Sequence, residues 1–129
     1  VLCFDIVGLM RINDEISREA GDKVILESLK RINAAAGEDM PVLRIGGDEF
    51  VMVTGLDDVE KVTKIAKAVM EKNGVETAYK GGTVPVSIRS GAVMIRKPLK
   101  YSMLCHDFDE VISFARNDGE VHFAKAEQR

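Results

Sequence analysis

Residues 42–53 read Val42-Leu43-Arg44-Ile45-Gly46-Gly47-Asp48-Glu49-Phe50-Val51-Met52-Val53. Apolar runs on either side of a glycine pair are typical of a β-hairpin, because glycine adopts the positive φ angles that a tight reversal requires. We therefore predict a hairpin with positive φ at Gly46 and Gly47 and with Asp48 and Glu49 at its tip. The missing Cβ atoms of the two glycines would also let a bulky ligand approach the backbone.

The acids of this stretch need a compensating partner. Asp48 and Glu49 would cost several kcal/mol to desolvate at the start of a strand unless a cation or hydrogen-bond donors offset that cost. Asp5 is a similar acid, because it follows the apolar run of residues 1–4 and precedes a glycine at position 8. A carboxylate at the end of a buried strand is a common metal ligand in α/β folds. Neighbouring strands could bring Asp5 and Asp48 together on one divalent cation; the alternative is a hairpin whose acids face solvent.

Composition limits the function classes. A chain of 129 residues is the size of one domain, and we predict a single domain over residues 1–129. The formal net charge of -3 at pH 7 argues against a nucleic-acid-binding surface but not against a nucleotide whose charge is balanced by magnesium. Cys3 and Cys105 do not form a disulfide framework, and we expect reduced thiols in a cytoplasmic protein. No run approaches the about 20 apolar residues of a membrane span, so we expect no membrane contact by this domain.

Hydrophobic periodicity predicts the order strand, helix, hairpin, helix, strand, helix, strand. The first helix is predicted from about Asp22 to Ala36, on a stripe formed by Ile25, Leu29, Ile32 and Ala36. Two further helices are predicted to begin at caps on Asp57 and Asp107 and to end near Gly74 and Gly119. A long strand over Val84–Ile95 and a short strand over 121–123 complete the pattern. This order indicates an α/β (α+β) domain in which helices flank a central, mostly antiparallel sheet.

Several motifs occur together in one order. The strongest are Phe4-Asp5-Ile6, Ile12-Asn13-Asp14, Gly21-Asp22-Lys23-Val24-Ile25 and the Arg44-Ile45 pair before the glycines. Weaker ones are Ser90-Gly91-Ala92 and the run Phe114-Ala115-Arg116-Asn117-Asp118-Gly119. In order and spacing these motifs resemble the GGDEF domain of bacterial diguanylate cyclases over nearly the whole chain. Their co-occurrence is far more specific than any one of them alone.

The resemblance implies a palm-like, ferredoxin-related fold and the condensation of two GTP molecules into cyclic di-GMP with loss of pyrophosphate. It implies a divalent cofactor, Mg²⁺ or Mn²⁺, because such a displacement depends on metal ions more than on covalent participation of the protein. Asp5, Asp48 and the carbonyl of Ile6 are the expected metal ligands. Glu49 is expected either to assist deprotonation of the attacking hydroxyl or to bind a second metal ion.

The resemblance also implies a set of substrate contacts. Asn13 and Asp22 would read guanine, since a carboxylate accepts from guanine N1–H and N2–H together and an amide donates to N3 or O6. Gly46 and Gly47 would lie against the nucleotide, and Arg116 would contact phosphate. The alternative for Asp22 is an ordinary helix N-cap in front of the amphipathic stripe.

Catalysis by this family implies a homodimer, because each nucleotide attacks the other. We interpret the start at Val1 as a portion of a longer signalling protein that carries an upstream sensor domain. Met10 and Glu120 stand where a phosphate-contacting lysine and arginine are usual, which favours the alternative of a degenerate domain that binds GTP or a partner protein without turnover. Residues 37–40 lack the R-x-x-D motif, so product inhibition at that position is not expected.

Overall fold

The chain alternates short strands with helices in a computed structural model that describes residues 1–36, 40–56, 58–93, 100–118 and 120–124. The strands within these ranges are β1 (Leu2–Ile6), β2 (Val42–Arg44), β3 (Glu49–Met52), β4 (Thr77–Tyr79), β5 (Gly82–Val84), β6 (Ile88–Val93) and β7 (His122–Ala124). The helices are α1 (Leu9–Glu15), α2 (Arg18–Ala35), α3 (Val59–Met70) and α4 (Tyr101–Asp118). None of these helices is both long enough and apolar enough to cross a membrane.

A five-stranded sheet has the order β2-β3-β1-β6-β7, and β4 and β5 form a separate hairpin. Neighbours in the large sheet are antiparallel except β6 and β7, which are parallel. The predicted hairpin around the glycines is present as β2 and β3, with Arg44 opposite Phe50. The predicted fold class, a mostly antiparallel sheet with helices on its faces, is confirmed.

Strand β1 lies at the centre of the sheet and sends alternate side chains to opposite faces. Leu2, Phe4 and Ile6 enter a core that also contains buried side chains of α1, α2 and α3. Cys3 enters a second cluster, in which Phe108 and other apolar residues of α4 cover the opposite face. Each large apolar side chain buried in this way contributes about 1.5–3 kcal/mol to stability. The alternation places Asp5 on the α4 face, two residues beyond Cys3.

Helix α4 packs closely on β6 because Gly91 has no side chain. A Cβ added at Gly91 would lie only 2.3 Å from Cγ2 of Val111 and 2.6 Å from its Cβ. Gly91 is also the β6 partner of Cys3, so it lies in the row next to the one that contains Asp5. The close approach brings the last turns of α4 over the end of β1 that carries Asp5.

A buried arginine ties α2 to the segments that precede β6. Arg31 is 7% exposed, and its guanidinium donates to the carbonyl oxygens of Lys72 at 3.1 Å, Val75 at 2.8 Å and Val86 at 3.1 Å. Hydrogen bonds from a charged donor are worth more than neutral ones, especially when they satisfy carbonyls that are shielded from water. These bonds fix the approach of the chain to β6.

Asn73 fixes the first residue of β6. Its amide nitrogen donates to the carbonyl of Ile88 at 2.8 Å, and its amide oxygen accepts from the backbone nitrogen of Ile88 at 2.9 Å. These two hydrogen bonds pair with the backbone of Ile88 as a neighbouring strand would. It sets the position of the residue that follows, Arg89.

The predicted start of the first long helix is wrong. Helix α2 begins at Arg18, and its N-cap is Ser17, whose hydroxyl accepts from the backbone nitrogen of Ala20 at 3.0 Å. Asp22 lies within the helix and is not its cap. Helix α1, which precedes α2, was not predicted, because its seven residues are too few to form a long apolar stripe.

Three other predicted boundaries also differ from the structure. Helix α3 is capped by Asp58, and the predicted cap at Asp57 lies outside the described residues. Helix α4 begins at Tyr101, so Asp107 is a buried residue inside the helix rather than its cap. The long predicted strand is interrupted at 85–87, between β5 and β6, where a proline removes a backbone donor. Some predicted features lie outside the described ranges. They are the last two residues of the long predicted strand, the predicted helix end at 119, and three residues of the segment 37–40.

Both cysteines are free, as predicted. Cys3 is buried in β1 and Cys105 is partly buried in α4. Burial raises the pKa of the Cys3 thiol to about 12. Cys3 therefore behaves as a small apolar core residue rather than as a nucleophile.

Gly91→Ala is expected to destabilise the domain by about 1–3 kcal/mol, because the added methyl group must push Val111 away from β6. Urea unfolding followed by circular dichroism measures the change. Gly82→Ala in β5 is the control, since the nearest atom to its added Cβ is 3.7 Å away; it should change the free energy of unfolding by less than about 0.5 kcal/mol. Equal losses in the two variants would contradict the close contact between α4 and β6.

Candidate active site and metal centre

Three charged residues form a row across the α4 face of the sheet. Asp5 of β1 pairs with Glu49 of β3 on one side and with Arg89 of β6 on the other. Residues directly opposite each other in antiparallel strands point to the same face and lie within contact distance. The strand register therefore places two carboxylates and one guanidinium side by side.

Asp48 joins this row from the turn between β2 and β3. The carbonyl oxygen of Asp48 accepts a hydrogen bond from the backbone nitrogen of Ile6 at 2.9 Å, which holds the hairpin tip against the end of β1. The carboxyl groups of Asp5 and Asp48 are close enough to share a hydrogen bond. The two acids lie together at one end of the central strands.

The hairpin turn is held by Arg44 rather than by glycine conformation. Arg44 donates to the carbonyl of Gly46 at 3.1 Å and to that of Gly47 at 2.6 Å. Neither glycine has a positive φ, so the predicted conformational reason for the glycine pair is wrong. Space explains Gly46, because an added Cβ would lie 2.8 Å from Oε1 of Glu49. At Gly47 an added Cβ would meet no atom within 4 Å, so this side of the turn is open.

The acids line a cavity of about 150 Å³, which we call the acidic cavity; its walls are Asp5, Asp48, Glu49, Phe108, Asp109, Ile112 and Arg116. Asp109 and Arg116 come from α4, which covers this end of the sheet. A water molecule occupies about 30 Å³ in the liquid. The acidic cavity is therefore large enough for a metal ion and a few oxygen ligands.

Asp5 is strongly perturbed by its surroundings. Burial, followed by the negative charge of Asp48, raises the pKa of Asp5 to about 6. Two guanidinium groups oppose this rise: Arg89 Nη1 lies 3.3 Å from Asp5 Oδ2, and Arg116 Nη2 lies 3.9 Å from the same oxygen. The arginines compensate the buried carboxylate only in part.

Glu49 responds to the same environment. Partial burial and then the charges of Asp48 and Asp109 raise the pKa of Glu49, and Arg116 acts in the opposite direction. Asp48 thus raises the pKa of both Asp5 and Glu49, and clustered carboxylates of this kind are an arrangement that a divalent cation stabilises. Hard carboxylate oxygens are also the ligands that Mg²⁺ and Mn²⁺ prefer. The donor set of the acidic cavity fits such an ion.

The two residues predicted to read guanine lie on a helical hairpin. Asn13 is a partly buried residue of α1, and Asp22 is an exposed residue of α2. Gly21 makes room for the Asn13 side chain, because an added Cβ would lie 1.7 Å from Asn13 Oδ1. Neither Asn13 nor Asp22 is among the residues that line the acidic cavity in the described part of the chain. The structure thus separates the predicted base contacts from the carboxylate cluster.

The two departures from the family pattern lie apart from the carboxylates. The side chain of Met10 on α1 is 78% exposed and brings no charge to this end of the sheet. Glu120 lines a groove of about 530 Å³ together with Lys64 and Lys67 of α3. Glu71 also lines this groove, and Glu120 is not among the described residues that form the wall of the acidic cavity.

Sequence reasoning missed two members of the site, Arg89 and Asp109. Arg89 lies two residues before Gly91 and so shares its face of β6, but only the register with β1 brings it opposite Asp5. Asp109 lies on α4, and only the packing of that helix over the end of β1 brings its side chain to the acidic cavity.

Comparison with known proteins gives the same family over nearly the whole chain. Residues 1–122 match the family model "Diguanylate cyclase, GGDEF domain". The GGDEF domain of YfiN (TpbB) from Pseudomonas aeruginosa is 27% identical, with a TM-score of 0.79 over 95% of this chain and 73% of that chain. The GGDEF domain of DgcB from Caulobacter crescentus, solved in complex with c-di-GMP, is 20% identical, with a TM-score of 0.75 over 98% of this chain and 76% of that one.

Curated relatives are longer proteins. An uncharacterized membrane protein of Staphylococcus aureus strain USA300 is 26% identical over 123 residues, which are 92% of this chain and 35% of that protein. The chain thus spans about a third of the length of the curated relatives that it matches. Because the family model covers nearly all of the sequence and the fold agrees with solved members, the chain belongs to the GGDEF domain family of diguanylate cyclases.

Proposed function

We propose that this domain condenses two GTP molecules into cyclic di-GMP and releases two pyrophosphates. The family normally makes cyclic di-GMP. The observation that carries the proposal for this chain is the convergence of Asp5, Asp48 and Glu49 on one small cavity at the end of β1. No purely structural role accounts well for three clustered carboxylates, in which the charge of Asp48 raises the pKa of both Asp5 and Glu49.

Asp5 and Asp48 would hold Mg²⁺ or Mn²⁺, with the backbone carbonyl of Ile6 as a further ligand. When bound, the ion supplies positive charge to the triphosphate oxygens and acidifies the attacking hydroxyl. Burial holds the Asp5 carboxylate in place, and the hydrogen bond from Ile6 to the Asp48 carbonyl holds the backbone of Asp48, so these acids need little reorganisation to act as ligands. Arg116 lies on the α4 side of the same cavity, where its charge can reach a phosphate.

Glu49 has two roles open to it. As the neighbour of Asp5 in the row across β3 and β1, it would either accept the proton of the 3′-hydroxyl or bind a second metal ion. Gly46 leaves room for its carboxylate, and Gly47 leaves the turn open to a ligand. Glu49→Gln keeps the shape of the side chain and removes both functions, whereas Glu49→Asp retains a carboxylate one methylene shorter.

Asn13 on α1 and Asp22 on α2 would bind the guanine base and so select GTP. The capping role that was the alternative for Asp22 belongs to Ser17, so the exposed carboxylate of Asp22 is not used by its own helix terminus. A site built to pair with guanine N1–H and N2–H leaves polar groups unpaired when adenine binds, which makes discrimination large.

Two copies of the domain must meet for turnover, since each 3′-hydroxyl attacks the α-phosphate of the other nucleotide. We therefore propose a catalytic homodimer, arranged in the full-length protein by an upstream sensor domain. Because GTP is a cytoplasmic metabolite, the domain would lie on the cytoplasmic side even if the whole protein, like its curated relatives, were a membrane protein.

The second candidate function is a degenerate GGDEF domain that binds GTP or a partner protein without turnover. The exposed Met10, which provides no cation for phosphate, favours it. The position of Glu120 beside Lys64 and Lys67 weakens it, because the reversed charge lies away from the carboxylate cluster. The two candidates differ in product formation and agree on nucleotide binding.

A forced dimer tests turnover. The domain fused to a parallel leucine zipper and incubated with Mg²⁺ and GTP should release pyrophosphate and a cyclic dinucleotide, measured by coupled assay and mass spectrometry. Asp48→Asn should lower the rate by about 100-fold or more, since even outer-shell changes at metal sites cost about 10–100-fold. Glu60→Gln, an exposed acid on α3, is the matched control and should leave the rate unchanged.

Each result of the forced-dimer assay has a definite meaning. GTP binding without any product would establish the degenerate domain in place of the cyclase. Full turnover by Asp48→Asn would overturn the assignment of the metal site, even if the wild type makes cyclic di-GMP.

Asp5→Asn is expected to stabilise the metal-free domain at pH 7.5 and to change little near pH 4. The pKa of Asp5 is raised to about 6 in the folded state, compared with about 4 in an unfolded chain. The stability contributed by its proton is fully present below the unfolded value and is lost as the pH rises through about 6. Asparagine is neutral at every pH and so retains that stability. Urea unfolding in EDTA at both pH values measures the difference.

Asp14→Asn controls for the loss of one negative charge, because Asp14 is exposed on α1. An equal gain in this variant would show that net charge, and not the burial of Asp5, is the cause. Added Mg²⁺ should stabilise the wild type more than Asp5→Asn, since the variant lacks a ligand.

A further inference from the structure

Arg89 contacts the carboxylate that the proposed function assigns to the metal ion. Arg89 Nη1 donates to Asp5 Oδ2 at 3.3 Å, and the Arg89 side chain is 28% exposed while that of Asp5 is 5% exposed. Arg116 Nη2 lies 3.9 Å from the same oxygen. Two guanidinium groups thus occupy the side of Asp5 that a cation would share.

Arg89 also faces a second cavity beside the acidic one. This arginine cavity, of about 220 Å³, is lined by Val7, Met70, Asn73, Ile88, Arg89, Ala115 and Arg116. Arg116 lines both cavities, and Arg89 links them through its bond to Asp5. Among the described residues, the wall of this space next to the carboxylate cluster therefore carries two positive charges and no carboxylate.

The backbone of Arg89 is held in place, whereas its side chain is partly exposed. Asn73 brackets the preceding residue, Ile88, with two hydrogen bonds of 2.8 and 2.9 Å, and β6 pairs with β1 through Arg89 itself. Within the part of the chain that the structure describes, the polar partner of the side chain is Asp5. A fixed backbone with a long, partly exposed side chain suits a group that exchanges one anionic partner for another.

The negative charge of the triphosphate requires positively charged side chains near its phosphates. A triphosphate with one divalent cation is still anionic, and neither Met10 nor Glu120 offers a positive charge to it. Guanidinium groups are well matched to phosphate, because their donors form a planar fork. Arg89 and Arg116 are the cations that line the space beside the acidic cavity in the described part of the chain.

We propose, on the basis of the proposed GTP chemistry, that Arg89 is a phosphate-binding residue that pairs with Asp5 until the metal ion and the triphosphate bind. In the metal-free domain its guanidinium neutralises Asp5. When a divalent cation binds Asp5, the guanidinium is displaced and donates to a phosphate oxygen of the incoming triphosphate. Arg89 thus opposes metal binding on its own and supports binding of the metal–nucleotide complex.

Opposite changes in two affinities are the signature of this exchange. Arg89→Ala should bind Mn²⁺ several-fold more tightly than the wild type when no nucleotide is present, because a competing positive charge has been removed. With Mg²⁺ present, it should bind α,β-methylene GTP, which is not cleaved between those phosphates, roughly tenfold or more weakly. Arg89→Lys retains the positive charge without the planar fork. Its affinities for Mn²⁺ and for the nucleotide should lie between those of the wild type and those of Arg89→Ala.

Electron paramagnetic resonance of free Mn²⁺ measures the first affinity, and isothermal titration calorimetry measures the second. Lys30→Ala removes a positive charge from the exposed face of α2 and should alter neither. Circular dichroism establishes that each variant is folded, and Arg89→Lys carries the test if Arg89→Ala does not fold.

The outcomes separate this inference from the proposed function. Wild-type binding of α,β-methylene GTP with unchanged binding by Arg89→Ala would overturn the role of Arg89 and leave the cyclase proposal standing. A loss of both affinities would also overturn it, since that result indicates a structural role. Failure of the wild type itself to bind the nucleotide would overturn the proposed function, and the role of Arg89 with it.

Discussion

The central position of β1 is the constraint on which the site depends. Hydrogen bonds to β3 on one edge and to β6 on the other fix its register, and its alternation sends Phe4 and Ile6 into one core and Cys3 towards α4. Asp5 cannot leave this row without breaking the packing of its neighbours. A carboxylate is therefore held at 3% exposure, and its charge has to be met by the groups around it.

Those groups leave the local electrostatics unfavourable. Asp48 and Glu49 add negative charge next to a carboxylate that is already poorly solvated, and the guanidiniums of Arg89 and Arg116 offset only part of it. Replacing such a buried charge cluster by apolar residues is often neutral or stabilising in proteins. Functional sites commonly retain unfavourable local electrostatics of this kind. Burial of apolar side chains in the two clusters on either side of the sheet offsets this loss of stability.

The sequence was sufficient for the family, the sheet with its glycine hairpin, and the acids at positions 5 and 48, because these are local patterns in a recognisable order. It was insufficient where tertiary contacts decide. Arg89 belongs to the site only through the register of β6 against β1, and Asp109 only through the packing of α4 over the end of β1. The glycines of the turn are explained by space next to Glu49 and by bonds from Arg44, not by φ angles. Ser17 rather than Asp22 caps α2, because a short helix precedes it.

Met10 and Glu120 replace two cations that the family usually has, and the positions of the other charged residues decide what this replacement means for phosphate binding. A triphosphate responds to the total field at its binding site, and that field is set by distance and burial more than by which strand or helix supplies each cation. Arg89 brings a guanidinium to within 3.3 Å of Asp5 from β6, a strand in which no phosphate contact was expected. Glu120 lines a different groove, together with Lys64, Lys67 and Glu71. Loss of charge at two familiar positions therefore does not, by itself, remove positive charge from the site.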